Sequence, residues 1–152
     1  MSKFKIYLKS ILIPLILGGL VGYFISGSMD YDSLVKPTLA PPAFIFPIIW
    51  TILYSLMGVS YGILKSNSLL DENTIFLYYL QLVVNLLWPI FFFVFKWRFF
   101  SFVWIIILVL LVIAMIAEFY SKNKVSGLLQ IPYLLWLLFA TYLNLSTYLL
   151  NR

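Results

Sequence analysis

The sequence predicts an all-α integral membrane protein, a five-transmembrane-helix bundle, and three observations carry that prediction. Apolar residues make up 64% of the 152-residue chain and charged residues only 10%, with a mean hydropathy of +1.06. Soluble domains carry roughly 25% charged residues. Charge-poor runs near the length needed to cross a bilayer, about 20 residues, recur five times, at roughly 6–27, 43–64, 74–95, 99–120 and 127–150. Short polar stretches separate them, and most of the charge sits there. The composition excludes a soluble globule, and nothing marks a second domain or a tandem repeat.

The same composition removes several kinds of chemistry. The chain has no cysteine and no histidine, which rules out disulfides, thiolate nucleophiles, zinc sites of the usual ligand types and imidazole acid–base catalysis. No metal site and no required cofactor are expected. Axial haem ligation would fall to Met or Tyr, and the lack of histidine argues against a haem-ligating redox protein. The net charge is +5, but the basic residues are scattered through the polar gaps with no continuous patch. Nucleic acid is therefore not an expected partner; topology and the anionic headgroups of the lipid bilayer account for the charge. No Asp, Glu, Lys or Arg lies in the middle of a span, where the relays of ion-coupled pumps sit.

Taken in order, the first span follows Lys3, Lys5 and Lys9. That layout also describes a signal peptide, but the uncharged run over 10–29 is long for one and reads as a retained helix. Its Gly18 and Gly22 form a small-xxx-small pair that serves packing within the bundle ahead of dimerisation. Residues 30–42 are the longest polar connection, and Pro37, Pro41 and Pro42 hold it extended as a stiff cap. In the second span Trp50, Tyr54, Met57 and Tyr61 recur at steps of three and four and share a face. Each alone reads as ordinary packing, but four such positions on one apolar helix predict an enclosed, partly polar space.

The third span places Gln81, Asn85, Trp88 and Phe92 on one face. Its amides either join helices or contact a ligand, because a bare amide in a bilayer is costly. Pro89 cannot donate to the carbonyl of Asn85 and should bend the helix beside that face. The fourth span, of Ile, Leu, Val and Phe, reads as scaffold. In the fifth, Pro132, Trp136, Ala140, Asn144 and Thr147 lie near one face, with Ala140 leaving room for a ligand. With five spans the termini lie on opposite sides. Lys3, Lys5, Lys9, Lys65, Lys122 and Lys124 fall with the N-terminus, and Lys36, Lys96, Arg98 and Arg152 fall with the proline cap. That excess favours a cytoplasmic N-terminus.

Four segments in order, KPTLAPP, PIIWTILYSLMG, QLVVNLLWPIFF and PYLLWLLFATYLN, give the chain its resemblance to the TspO/MBR family. These are the tryptophan-rich sensory proteins that include the mitochondrial translocator protein, also called the peripheral benzodiazepine receptor. The resemblance covers nearly the whole chain. It implies a single domain over 1–152 whose pocket is capped by the loop between helices 1 and 2 and binds porphyrins, such as protoporphyrin IX or haem, and other flat hydrophobic ligands. It further implies a bacterial cell membrane as location and, with the small-residue helices, a homodimer. Two departures stand out. Asp30-Tyr31 occupies a place where the family often has Trp-Tyr, and Leu145 follows the Leu-Asn pair where animal members have Tyr within a sterol-recognition pattern. Leu145, Tyr148 and Arg152 still satisfy the loose form of that pattern, which is too common to support cholesterol binding.

By this likeness Trp50 and Trp136 flank the ligand plate, Asn85 and Tyr31 offer hydrogen bonds, and Pro41, Trp88, Phe92, Ala140 and Leu143 shape the walls. Lys36, Lys96 and Arg98, on the cap side, would attract the ligand carboxylates. Three functions compete: a porphyrin-binding sensor or trafficking protein; light- and oxygen-dependent degradation of protoporphyrin IX, with Trp50 or Trp136 as electron donor; and a structural or accessory membrane subunit whose aromatic faces only pack.

Overall fold

A computed structural model describes residues 2–152. Among the described residues six α-helices form in chain order: α1 (Lys3–Ile25), α2 (Ile45–Ser66), α3 (Glu72–Pro89), α4 (Arg98–Lys122), α5 (Lys124–Leu128) and α6 (Ile131–Asn151). With α5 and α6 taken together, five segments are long and apolar enough to cross a membrane. Polar side chains start the helices where the backbone leaves orphan N–H groups. Ser2 Oγ accepts from Lys5 N at 3.3 Å, Asp71 Oδ1 from Thr74 N at 2.8 Å, and Asn123 Oδ1 from Ser126 N at 3.0 Å. Lys122, 2.8 Å from Asp71, and the Thr74 backbone N–H hold the Asp71 carboxyl well below its ordinary value.

Two spans differ from their sequence outline, and proline explains both. The third is regular α-helix only through Pro89, then continues as a π turn over Ile90–Val94, with Phe95 N donating to Ile90 O at 3.0 Å. Pro89 removes a donor at the point where the bend was expected, and the chain recovers by widening its turn. The fifth is interrupted at Leu129 and Gln130. Pro132 has no N–H for the carbonyl of Leu128, so one helix stops and α6 starts with proline in its first turn.

Small residues set the closest contact. Pro14 leaves the carbonyl of Ser10 without its helical donor, and Ser10 O together with the Ile11 backbone fills the space a Cβ would need at Gly58. Gly62 admits the Tyr7 ring in the same way. At that end Ser60 and Ser126 join α2 to α5, each hydroxyl donating to the other residue's carbonyl at 2.6 and 2.9 Å. Met57, Leu64, Val112, Met115, Phe119 and Tyr133, none measurably exposed, make a solid core in the half of the bundle nearest the N-terminus.

The other half is hollow and lies under the loop between α1 and α2. That loop is pinned from several directions. Tyr31 Oη donates to the carbonyl of Pro41, Tyr142 Oη donates to Thr38 O at 2.6 Å, and Asn151 exchanges two hydrogen bonds with the Val35 backbone at 2.9 and 2.8 Å. The loop, the α3–α4 turn and the C-terminus thus gather at one end, as the parity of five spans requires.

Candidate functional site

Beneath the loop lies a cavity of about 430 Å³ walled chiefly by α1, α2, α3 and α6, within the range of roughly 300–1,000 Å³ usual for ligand pockets. On α2, Trp50 and Tyr54 are one turn apart and their rings lie 5.3 Å from each other. Trp50 also meets Tyr133 edge-on at 6.3 Å. Along α3 and the π turn that continues it, Asn85, Trp88 and Phe92 line the cavity, and the Trp88 and Phe92 rings stack at 5.0 Å. Ala140 and Leu143 of α6 complete the far side. The α1 wall sets three glycines among Leu15, Val21 and Ile25: a Cβ at Gly18 would run into the Tyr54 ring, whereas one at Gly19 or Gly22 would meet nothing within 4 Å.

The polar groups in this apolar space are held in fixed orientations. Asn85 Oδ1 accepts from Tyr54 Oη at 2.6 Å, and Asn85 Nδ2 donates to Tyr133 Oη at 2.8 Å. Tyr133 Oη in turn donates to Gln81 Oε1 at 2.8 Å, and Gln81 Nε2 donates to Tyr78 O at 2.9 Å. Asn85 keeps one N–H and one lone pair beyond these bonds, so it can both join helices and meet a ligand. Trp88 Nε1 donates to Asn144 Oδ1, and Asn144 Nδ2 to Arg98 O, both at 2.8 Å.

Charge collects at the rim. One Arg98 nitrogen donates to both Asp30 carboxylate oxygens at 2.8 and 2.7 Å, Lys96 approaches the same carboxylate at 3.8 Å, and the Arg98 guanidinium lies 5.0 Å from the Phe92 ring centre. Lys36 Nζ stands 4.9 Å over the Tyr31 ring. Burial, then the charge of Asp32, raises the Tyr31 phenol above its ordinary value, and its hydroxyl donates to the Pro41 carbonyl.

Of the residues singled out from sequence, Tyr31, Trp50, Asn85, Trp88, Phe92, Ala140 and Leu143 come together on the cavity wall. Pro41 and Trp136 are not among the lining residues. Pro41 acts one step back, through the carbonyl that fixes Tyr31. Trp136 faces a separate shallow groove between α2 and α6 with Ile49, Ile52 and Pro132, and meets the wall residue Phe46 edge-on at 5.9 Å. Repeated four-residue steps overshoot a helical turn by about 40° each, so the ridge from Asn144 through Ala140 to Trp136 winds off the cavity face. Leu137 takes the position instead. Likewise the α2 stripe divides, Trp50 and Tyr54 facing the cavity while Met57 and Tyr61 belong to the solid core.

Sequence reasoning missed Phe46, Ile105 and Leu108, the last two from the helix read as pure scaffold, and it missed the glycine wall. The Gly18/Gly22 spacing was the available signal for that wall, since a four-residue glycine pair makes a smooth surface that a cavity can use as well as a helix.

A family model, the TspO/MBR family, matches residues 10–149. The chain is 37% identical over 145 residues to the tryptophan-rich protein TspO of Archaeoglobus fulgidus, covering 93% of this chain and 94% of that protein. It is 37% identical over 138 residues to protein CrtK of Rhodobacter capsulatus, covering 88% and 85%. With the human translocator protein the identity is 32% over 118 residues, covering 75% and 70%. Five membrane-crossing segments and likeness along almost the whole chain agree: this protein is an integral membrane member of the TspO/MBR family.

Proposed function

We propose that the protein binds planar, largely apolar ligands, porphyrins foremost, within the membrane and acts as a sensor or trafficking protein for them. The observation that supports this most is the hollow half of the bundle, where Trp50, Trp88 and Phe92 line a cavity with only a few oriented polar groups. Flat aromatic guests gain from contact with aromatic side chains beyond simple area burial, and no acid, base or metal is required for binding. Relatives named for sensing and translocation, including a tryptophan-rich sensory protein of Cereibacter sphaeroides, support a regulatory or trafficking role. Titration of the detergent-purified protein with protoporphyrin IX, followed by quenching of tryptophan fluorescence, should saturate at micromolar concentration. A folded protein that shows no saturation would move the reading to an accessory subunit whose aromatics only pack.

A second reading, light- and oxygen-dependent degradation of protoporphyrin IX, is favoured by one feature. Trp50 stands on the wall in contact with Tyr54 and Tyr133, so an oxidisable indole is backed by two hydrogen-bonded phenols. In this reading Trp50 is the electron donor and Trp136, behind Phe46, is not.

A further inference from the structure

Residues 29–31 at the lip of the cavity carry a charge that the shape of the pocket does not require. Met29 and Tyr31 both line the cavity, and Asp30 between them turns to Arg98 and Lys96. Arg98 is only 13% exposed in its side chain, lies over the wall residue Phe92, and has a buried Nε with no partner among the described residues. A guanidinium so placed is what a carboxylate on a planar guest would seek, since paired donors in a partly dry site bind carboxylates tightly. In this chain the partner is already supplied from within.

We infer that Asp30 is a specificity-determining residue: its carboxylate occupies the rim cations, so an anionic planar guest must displace it while an uncharged one need not. The inference rests on the reading of the cavity as a planar-guest site and deepens it. A free Arg98 would reward a dicarboxylic ring over its neutral ester; an Arg98 held by Asp30 gives that preference up, because the guest exchanges one carboxylate for another. Lys36, outside this cluster and over Tyr31, is the rim cation left without a carboxylate partner among the described residues.

The test compares protoporphyrin IX with its dimethyl ester, which keeps the ring and removes both charges. Asp30→Asn, which keeps an acceptor for Arg98 but removes the charge, should tighten the acid about tenfold and leave the ester unchanged. Asp30→Glu should stay at the wild-type ratio, and adding Arg98→Gln to Asp30→Asn should erase the gain. An acid-to-ester ratio that does not change in Asp30→Asn, or a gain that survives Arg98→Gln, overturns the inference. Ester binding reports the fold of each variant, and Asp30→Ser replaces Asp30→Asn if that protein no longer binds ester. Loss of ester binding in both would make Asp30 a structural pin and overturn the inference as well. If the ester fails to bind the wild-type protein, the planar-guest reading falls and takes this one with it.

Discussion

Asn85 illustrates how a primary amide is accommodated in a membrane interior. An unpaired amide in hydrocarbon costs several kcal/mol by order of magnitude, and here Tyr54 and Tyr133, from two other helices, supply a donor and an acceptor respectively. The arrangement orients the amide at the cavity floor without using all of its capacity. The two tryptophans first paired on family likeness separate at this scale, one on the wall and one in the outer groove. Trp50→Phe should therefore weaken protoporphyrin binding by about threefold to tenfold and abolish any light-driven bleaching. Trp136→Phe should leave both near wild type. Fluorescence titration and timed absorption spectra under illumination measure the two effects, and equal loss in both variants would mean that Phe46 does not insulate Trp136.

Among the elements, α1 and α2 make the joint on which the cavity depends. Pro14 exposes the Ser10 carbonyl, and Gly58 lets that carbonyl and the Ile11 backbone approach. A methyl group at Gly58 meets backbone, which cannot swing aside as a side chain can. Gly58→Ala should destabilise the protein by roughly 2 kcal/mol or more, despite the better helix propensity of alanine. Gly19→Ala, on the open face of α1, should match or exceed the wild-type melting temperature. Thermal unfolding in detergent distinguishes them, and a Gly58→Ala protein as stable as wild type would show that the α1–α2 contact yields easily. The π turn after Pro89 is the second element-scale device, and it carries the cavity-lining Phe92 and Phe93.

At the scale of the whole molecule, tight packing and open space are kept in opposite halves. The solid half holds the helices in register, and the hollow half is closed over by a loop tied to α6 and to the start of α4. Exposed Gly19, Gly22, Pro47 and Thr51 line the cavity on the α1–α2 flank, so the space communicates sideways. The loop, the 95–98 turn and the C-terminus share one end, and from the six-to-four distribution of basic residues we propose that the N-terminal end faces the cytoplasm. Because the chain has no cysteine, single cysteines can report this directly. In intact cells a membrane-impermeant maleimide should label Lys36→Cys and spare Ser2→Cys. The reverse pattern would invert the topology and place the capped end inside.

Five spans, their polar connections and the residues Trp50, Asn85, Trp88 and Ala140 were legible in the sequence, because a bilayer demands long uncharged runs and helical spacing then sorts side chains by face. Two helix interruptions were only half legible: Pro89 and Pro132 announce a lost hydrogen bond but not whether the backbone bends, widens or breaks. What only the tertiary structure decided is which face of each helix looks inward. Lipid tails are as apolar as the protein interior, so α1 and α4 carry no outside-to-inside contrast from which to read the glycine wall or the contribution of Ile105 and Leu108. The same holds for the rim charges. Sequence places Asp30 and Arg98 at one end of the bundle, but their pairing across 68 positions arises from the folding of the loop over α3 and α4, which no local pattern encodes.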